Sequence, residues 1–184
     1  MKRIIAIESW NGRNIQPVAG MINLLRFICD NMAGVELSYN FLYTPSELEY
    51  ILQKTEVKPK SLLYLSFHGR TNAIKAGKFT EFEIELEQLA QFMGKRFKGC
   101  GIHFASCKVM DSTEENLLAF MKQTGVRFIS GYTKYVDFGE SSVLDLALLQ
   151  RWAWSNYSKP MLEKLYNDYR YSVDTNGFYY YTKP

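Results

Sequence analysis

Short apolar runs alternate with longer segments of helical periodicity along most of this chain. Residues 62–67 and 100–106 are almost wholly apolar, which is typical of strands buried on both faces of a sheet. Between such runs, apolar residues recur every three or four positions, as they do on the buried side of a helix. This order of strand, helix and strand predicts a three-layer α/β fold, with a mostly parallel central sheet and helices on both faces.

Capping residues and glycines set the bounds of the predicted elements. Thr44 and Glu47 match a capping box at the start of a helix, and Ser112 with Glu115 repeats the pattern. Gly77-Lys78, between two apolar stretches, predicts the turn of a small hairpin after the third strand. The predicted strands are 3–7, 35–43, 62–67, 100–106 and 126–130, the last ended by Gly131; the predicted helices are 17–33, 45–54, 86–93, 112–121, 139–154 and 159–171, and residues 178–181 form an edge strand or a packed extension.

Composition excludes several classes of function. With 184 residues, of which 47% are hydrophobic and 22% charged, the chain has the make-up of a single globular domain over residues 1–184. A net charge of +3 without any basic run argues against nucleic acid as a partner. No apolar run is long enough for a membrane span or a signal peptide. Three cysteines, an odd number, form no disulfide framework, so we expect a cytoplasmic protein with reduced thiols.

Two residues with catalytic chemistry follow predicted strands at their carboxyl ends, where open α/β sheets collect functional groups. His68 follows the strand at 62–67, and Cys107 follows the strand at 100–106. One hairpin and one helix separate them, so we expect the two strands to be neighbours. A cysteine nucleophile needs a nearby histidine, which favours the thiolate and later protonates the leaving group. The N–H groups of Gly69 and Cys107 are the expected oxyanion hole.

An apolar strand ending in Ser66-Phe67-His68-Gly69, followed by one ending in Ser106-Cys107, resembles the core of the caspase-like cysteine proteases. Among these, residues 3–131 are most similar to the bacterial CHAT (caspase HetF-associated) domains. The resemblance implies a cysteine endopeptidase that acts through a thioester acyl-enzyme, with His68 as general acid/base and Cys107 as nucleophile. It also implies a protein or peptide substrate and a regulatory partner protein. We expect neither a cofactor nor a metal.

Substrate preference does not follow from the resemblance, because two positions depart from the family. Relatives that cleave after basic residues often have an aspartate two positions before the cysteine, where this chain has Ala105. The segment 108–110, Lys-Val-Met, also differs from the small, glycine-containing turn that is common after the nucleophile. We therefore expect a specificity pocket near Ala105 that receives the Asp137 carboxylate from the loop after the fifth strand. Glu140 is a weaker candidate, since an acid there also favours a helix N-terminus.

Other interpretations of the same residues remain. A catalytically silent caspase-like module that binds a partner protein would keep the same fold. A glutaminase-type amide hydrolase is disfavoured because it needs a histidine after the cysteine, and His68 and His103 both precede Cys107. A zinc site at Cys100, His103 and Cys107 is disfavoured because side chains alternate along a strand and a fourth ligand is missing. Cys29 and Cys100 are expected to be structural.

Overall fold

The computed structural model describes residues 1–9, 20–75 and 82–182. Within these ranges the strands are β1 (Lys2–Ser9), β2 (Val35–Leu42), β3 (Leu62–Ser66), β4 (His68–Arg70), β5 (Ala73–Lys75), β6 (Glu83–Glu85), β7 (Gly101–Phe104), β8 (Phe128–Tyr132) and β9 (Phe178–Thr182). The helices are α1 (Ile22–Asn31), α2 (Pro45–Lys54), α3 (Leu86–Met93), α4 (Glu114–Thr124), α5 (Phe138–Trp154), α6 (Ser158–Asp168) and α7 (Arg170–Asn176). No helix in the described part of the chain is long and apolar enough to cross a membrane.

Six strands form the central sheet, in the order β2-β1-β3-β7-β8-β9. All neighbouring pairs are parallel except β8 and β9, which run antiparallel and make β9 an edge strand. β3 and β7 pair directly, with Leu65 opposite Phe104, so the prediction that these two strands are neighbours is confirmed. Both strands therefore end at the same edge of the sheet.

Helices cover both faces of this sheet because the side chains of its central strands are apolar on both faces. One face packs against α2, α3 and α4, with Leu63 and Ile102 among the sheet residues at its centre. The other face packs against α1, α5, α6 and α7, with Ile4 and Phe128 among its buried residues. The α/β fold with helices on both faces of a mostly parallel sheet is confirmed.

A second, small sheet of order β4-β5-β6 begins at His68, one residue after β3 ends. Its strands are antiparallel, and Ile74 pairs with both Gly69 and Ile84. The predicted antiparallel return after the third strand is therefore present as β5 and β6. The Gly77-Lys78 turn predicted for it lies outside the described residues.

The residues at the starts of α2 and α4 show whether the two predicted capping boxes form. Thr44 and Glu47 form the predicted capping box at α2. The prediction of a capping box by Ser112 and Glu115 is wrong, because Thr113 is the residue that caps α4. The Thr113 hydroxyl accepts a hydrogen bond from the Asn116 N–H (3.3 Å), whereas the Ser112 hydroxyl donates to Asn72 Oδ1 (2.9 Å). For the first helix, Pro17 lies outside the described residues.

Two predicted boundaries in the second half of the chain are wrong. Gly131 does not end its strand, because β8 continues to Tyr132. A Cβ on Gly131 would lie 2.7 Å from Phe104 O, so glycine lets the two paired strands approach closely. The helix predicted at 159–171 divides into α6 and α7 at Tyr169, whose backbone leaves the helical region (φ −119°, ψ 29°). The Tyr169 ring lies 5.7 Å from the Arg151 guanidinium, a tertiary contact that sequence periodicity does not report.

Candidate active site

The ends of β3 and β7 bring His68-Gly69 against Cys107. The Phe67 N–H donates to Ser106 Oγ (3.2 Å), which joins the chain just after β3 to the chain just after β7. Gly69 then touches the turn that contains Cys107: a Cβ on Gly69 would lie 2.3 Å from Cys107 O. Real Cβ atoms essentially never come so close to another heavy atom, so only glycine fits at this position.

The Cys107 thiol faces the loop between β8 and α5. It is half-buried, and its sulfur accepts a hydrogen bond from the Val136 N–H at 3.4 Å. The thiol in turn points at Val136 O, 3.8 Å away. The Val136 peptide therefore contacts the sulfur through both its N–H and its carbonyl. Val136 was not a predicted site residue, because its position in the loop after β8 gives no sign in the sequence that its peptide meets the sulfur.

The His68 side chain is exposed at the start of β4. Within the described residues, its imidazole forms no hydrogen bond, either with the Cys107 sulfur or with another group. The structure thus brings together the backbones that carry the predicted dyad, without a hydrogen bond between the two reacting side chains. Catalytic hydrogen bonds are often long or poorly aligned before substrate binds, and the dyad stays a prediction.

The turn after Cys107 adopts a conformation that glycine usually supplies. Lys108 has φ of +59°, in the left-handed region that costs a non-glycine residue about 1 kcal/mol or more. The turn is held by Lys108 N–H, which donates to Lys134 O (3.0 Å), and by Met110 N–H, which donates to Tyr132 O (3.1 Å). Among the described residues the N–H of Cys107 has no such acceptor, and it remains available to a ligand. The missing glycine after the nucleophile therefore does not prevent the turn.

The predicted pocket residues lie in different settings. Ala105 is half-buried and packs against the core on the α5 side of the sheet. Asp137 caps α5, since its Oδ1 accepts hydrogen bonds from the N–H groups of Gly139 (2.8 Å) and Glu140 (3.1 Å). Glu140 is exposed in the first turn of that helix, as its alternative role implied. The Asp137 carboxylate therefore has a structural task, and its pocket role stays a prediction.

Cys100 and His103 are buried, whereas Cys29 is half-buried and packs against the core on the α5 side of the sheet. Cys100 packs in the core against α2–α4, whereas His103 points to the opposite face. Burial raises the pKa of the Cys100 thiol to about 11 and that of Cys29 to about 11. No group of three His, Cys, Asp or Glu residues within the described ranges is arranged to hold a metal ion. These thiols are suited to packing rather than to nucleophilic attack.

A buried polar network around Asp145 was not predicted from the sequence. Asp145 of α5 is only 2% exposed and lies 2.8 Å from His103 Nε2. The hydroxyls of Tyr64 and Tyr132 also donate to its carboxylate (2.6 and 2.5 Å). Burial, followed by the nearby Asp145 charge, raises the pKa of both tyrosines well above the usual value. A mid-helix aspartate among apolar residues was the available signal, but only the fold identifies its partners.

A second buried carboxylate, Glu8, lies near the carboxyl end of β1. It is 3% exposed, and its Oε1 accepts a hydrogen bond from the Met21 N–H (2.7 Å). The Tyr39 hydroxyl donates to its Oε2 (2.6 Å), and burial together with this bond raises the pKa of Tyr39. Glu8 pairs with Ser66 of β3, and β3 lies between β1 and the strand β7 that leads to Cys107. Both oxygens are occupied, so its role here is to hold the start of α1 and strand β2 on the sheet.

Comparison with known proteins adds a family without a known activity. No curated protein matches the sequence significantly. One family profile matches residues 22–181, which include β2 to β8 with both His68 and Cys107. Because this match covers most of the chain, the protein belongs to DUF6642, a family of unknown function.

Proposed function

We propose that this protein is a caspase-like cysteine peptidase, with Cys107 as nucleophile and His68 as general acid/base. The observation that carries the proposal is the contact of Gly69 with the Cys107 carbonyl, where a Cβ would lie 2.3 Å away. Core packing alone gives no reason for a His-Gly pair and a cysteine to meet at the carboxyl ends of adjacent strands. In open α/β sheets that edge is where ligands bind.

The architecture supports the caspase-like assignment in three ways. The central sheet is mostly parallel and has helices on both faces. A small antiparallel sheet begins at His68-Gly69 itself, as expected after the His-Gly strand of that fold. The half-buried Cys107 has access to solvent, unlike Cys100, which is 1% exposed.

The proposed reaction uses the groups around Cys107 in order. His68 accepts the proton of the Cys107 thiol, the resulting thiolate attacks the carbonyl carbon of the scissile peptide bond, and the negative charge moves to the carbonyl oxygen. The N–H groups of Cys107 and Gly69 stabilise that oxyanion, while the hydrogen bond from the Val136 N–H holds the sulfur in place before attack. His68 gives a proton to the leaving amine, which departs and leaves a thioester on Cys107. Water, deprotonated by His68, then hydrolyses the thioester and restores the thiol.

A catalytically silent module that binds a partner protein is the alternative, and one observation favours it. The Cys107 thiol is bonded to the Val136 peptide, and the His68 imidazole is exposed without a bond to it. In a silent module this arrangement would be the final one. In a peptidase the imidazole must turn toward the sulfur when a peptide lies over Gly69. The two functions therefore differ in whether Cys107 reactivity depends on His68.

Hydrolysis of a diverse peptide library, followed by mass spectrometry, tests the proposal. We expect the wild type to cleave a subset of peptides, and both Cys107→Ala and His68→Ala to lose that cleavage. Lys75→Ala is the matched control, because Lys75 pairs with His68 across β4 and β5 yet carries no imidazole. Cleavage that survives in Cys107→Ala would contradict the proposal. Absence of cleavage by a wild type whose Cys107 is also unreactive would favour the silent module.

A further inference from the structure

The carboxylate of Asp145 gathers hydrogen bonds from three strands. Tyr64 on β3 donates to Oδ2, while Tyr132 on β8 donates to Oδ1. His103 on β7 places Nε2 2.8 Å from Oδ1 and Nδ1 3.0 Å from the Ser130 hydroxyl. Each of these side chains is fully or almost fully buried. α5 is therefore fixed to the three strands β3, β7 and β8, of which the first two end at the proposed active site.

Stability alone does not account for such a network. Replacing buried charged groups with apolar residues of similar volume is often neutral or stabilising. What a fully satisfied polar network adds is a single geometry, because each donor fixes the direction of its acceptor. The geometry around Asp145 therefore positions the parts of the molecule to which its partners are bonded.

The Tyr132 hydroxyl extends the network toward Cys107. Its single proton is shared between Asp145 Oδ1 (2.5 Å) and Ser141 O in the first turn of α5 (3.0 Å), both of which are acceptors. The Ser141 N–H in turn donates to Asp137 O (2.9 Å), next to the Val136 peptide that contacts the Cys107 sulfur. Hydrogen bonds, together with the main chain of residues 136–141, thus connect the buried carboxylate through the helix start to the thiol.

The other end of Tyr132 also reaches the Cys107 turn. Its carbonyl accepts the Met110 N–H (3.1 Å), and two residues later Lys134 O accepts the Lys108 N–H (3.0 Å). Tyr132 is therefore bonded through its main chain to the turn that contains the thiol and through its hydroxyl to the start of α5. Tyr132 thus connects the Cys107 turn to the start of α5, and the loop before that helix contacts the Cys107 sulfur.

We infer that Tyr132, held by Asp145, is a positioning residue that keeps the Val136 N–H directed at the Cys107 thiol. This inference rests on the proposed function only in giving the thiol a catalytic use. Tyr64 provides the matched comparison, since its hydroxyl also bonds Asp145 but makes no bond to the first turn of α5. Removing the Tyr132 hydroxyl should loosen the β8–α5 loop, whereas removing the Tyr64 hydroxyl should not.

Hydrogen–deuterium exchange of residues 133–139 in Tyr132→Phe and Tyr64→Phe tests the inference. Loss of one net hydrogen bond predicts exchange about fivefold faster in Tyr132→Phe, with Tyr64→Phe close to the wild type. Alkylation of Cys100, which is 1% exposed, reports any global unfolding. Equal exchange in the two variants, with Cys100 protected in both, would overturn the inference.

Asp145 gives a second pair of variants in case Tyr132→Phe unfolds. Asp145→Ala removes the acceptor and should accelerate exchange at 133–139, whereas Asp145→Asn keeps Oδ1 as an acceptor and should restore slow exchange. Failure of Asp145→Asn to slow exchange relative to Asp145→Ala would count against the inference. Alkylation of Cys107 at neutral pH should also fall about fivefold in Tyr132→Phe. If alkylation of wild-type Cys107 is independent of His68, the proposed function fails, and the exchange comparison still decides the positioning role.

Discussion

Gly69→Ala is the substitution that bears most directly on the contact between the two halves of the site. Its added Cβ would lie 2.3 Å from Cys107 O, 2.8 Å from Val109 Cγ2 and 3.1 Å from Ser106 Cβ. The nearest of these is a backbone atom, so no side-chain rotation relieves the clash. An ordinary contact is at least 3.4 Å, and β4 must therefore move away from the Cys107 turn by about 1.1 Å.

That displacement sets the expected size of two effects. Overpacking of this kind typically costs about 1–3 kcal/mol in the free energy of unfolding. A shift of about 1 Å between reacting groups lowers the rate of catalysis by about 100-fold. We expect the loss of activity to exceed what the fraction of unfolded protein explains, because the shift separates His68 from Cys107 within the folded protein.

Urea denaturation and peptide hydrolysis measured on the same preparations separate these two effects. Gly139→Ala is the matched control, since the one atom that its Cβ would meet is a side-chain oxygen, Asp137 Oδ1, at 3.1 Å. It should leave both quantities within a small factor of the wild type. If Gly69→Ala retained wild-type stability and wild-type Cys107 reactivity, the close contact of Gly69 with the Cys107 turn would be refuted.

Three further predictions concern the scaffold. Thr44→Ala removes the capping box of α2 and should lower the free energy of unfolding by about 1 kcal/mol, measured in urea, without changing alkylation of Cys107. Gly131→Ala places a Cβ 2.7 Å from Phe104 O and should cost about 1–3 kcal/mol in the same assay. The raised pKa of Cys100, about 11 against an ordinary 9.0, means that the folded state holds this proton more tightly than the unfolded state. The free energy of unfolding should therefore decline as the pH rises from about 9 to about 11, and Cys100→Ala should make that decline shallower.

The fold was largely predictable because its buried strands are marked by uninterrupted apolar runs. Residues 62–67 and 100–106 became β3 and β7, and the short connection between them correctly predicted that they pair. The same inference placed His68-Gly69 beside Cys107: Gly69 does contact the Cys107 turn, whereas the pairing of the His68 and Cys107 side chains stays a prediction. Strand ends are local features, and the geometry of parallel sheets then determines which of them meet.

The errors arose where tertiary contacts decide between local alternatives. Ser112 and Thr113 are equally good caps in sequence, and the bond of the Ser112 hydroxyl to Asn72 leaves Thr113 to cap α4. Gly131 suggests a strand end, yet the close approach of Phe104 makes glycine the fitting strand residue.

The buried partners of Asp145 were missed for a related reason. They come from three strands far apart in sequence, and a hydrogen-bond network of that kind has no spacing to detect. His103 illustrates the difficulty: along its own strand the sequence offered only nearby cysteines as partners, whereas its actual partner is 42 positions away.

Alkylation of the native protein with a mild thiol reagent, with modified residues mapped by mass spectrometry, tests whether His68 and Cys107 form a dyad. The wild type, His68→Ala and the control Lys75→Ala would be compared at neutral pH. We expect Cys107 to react before Cys29 and Cys100 in the wild type and in Lys75→Ala. We expect His68→Ala to slow the reaction of Cys107 without unfolding the protein. Alkylation of Cys107 at the same rate in all three proteins, or no faster than that of Cys29, would contradict the dyad.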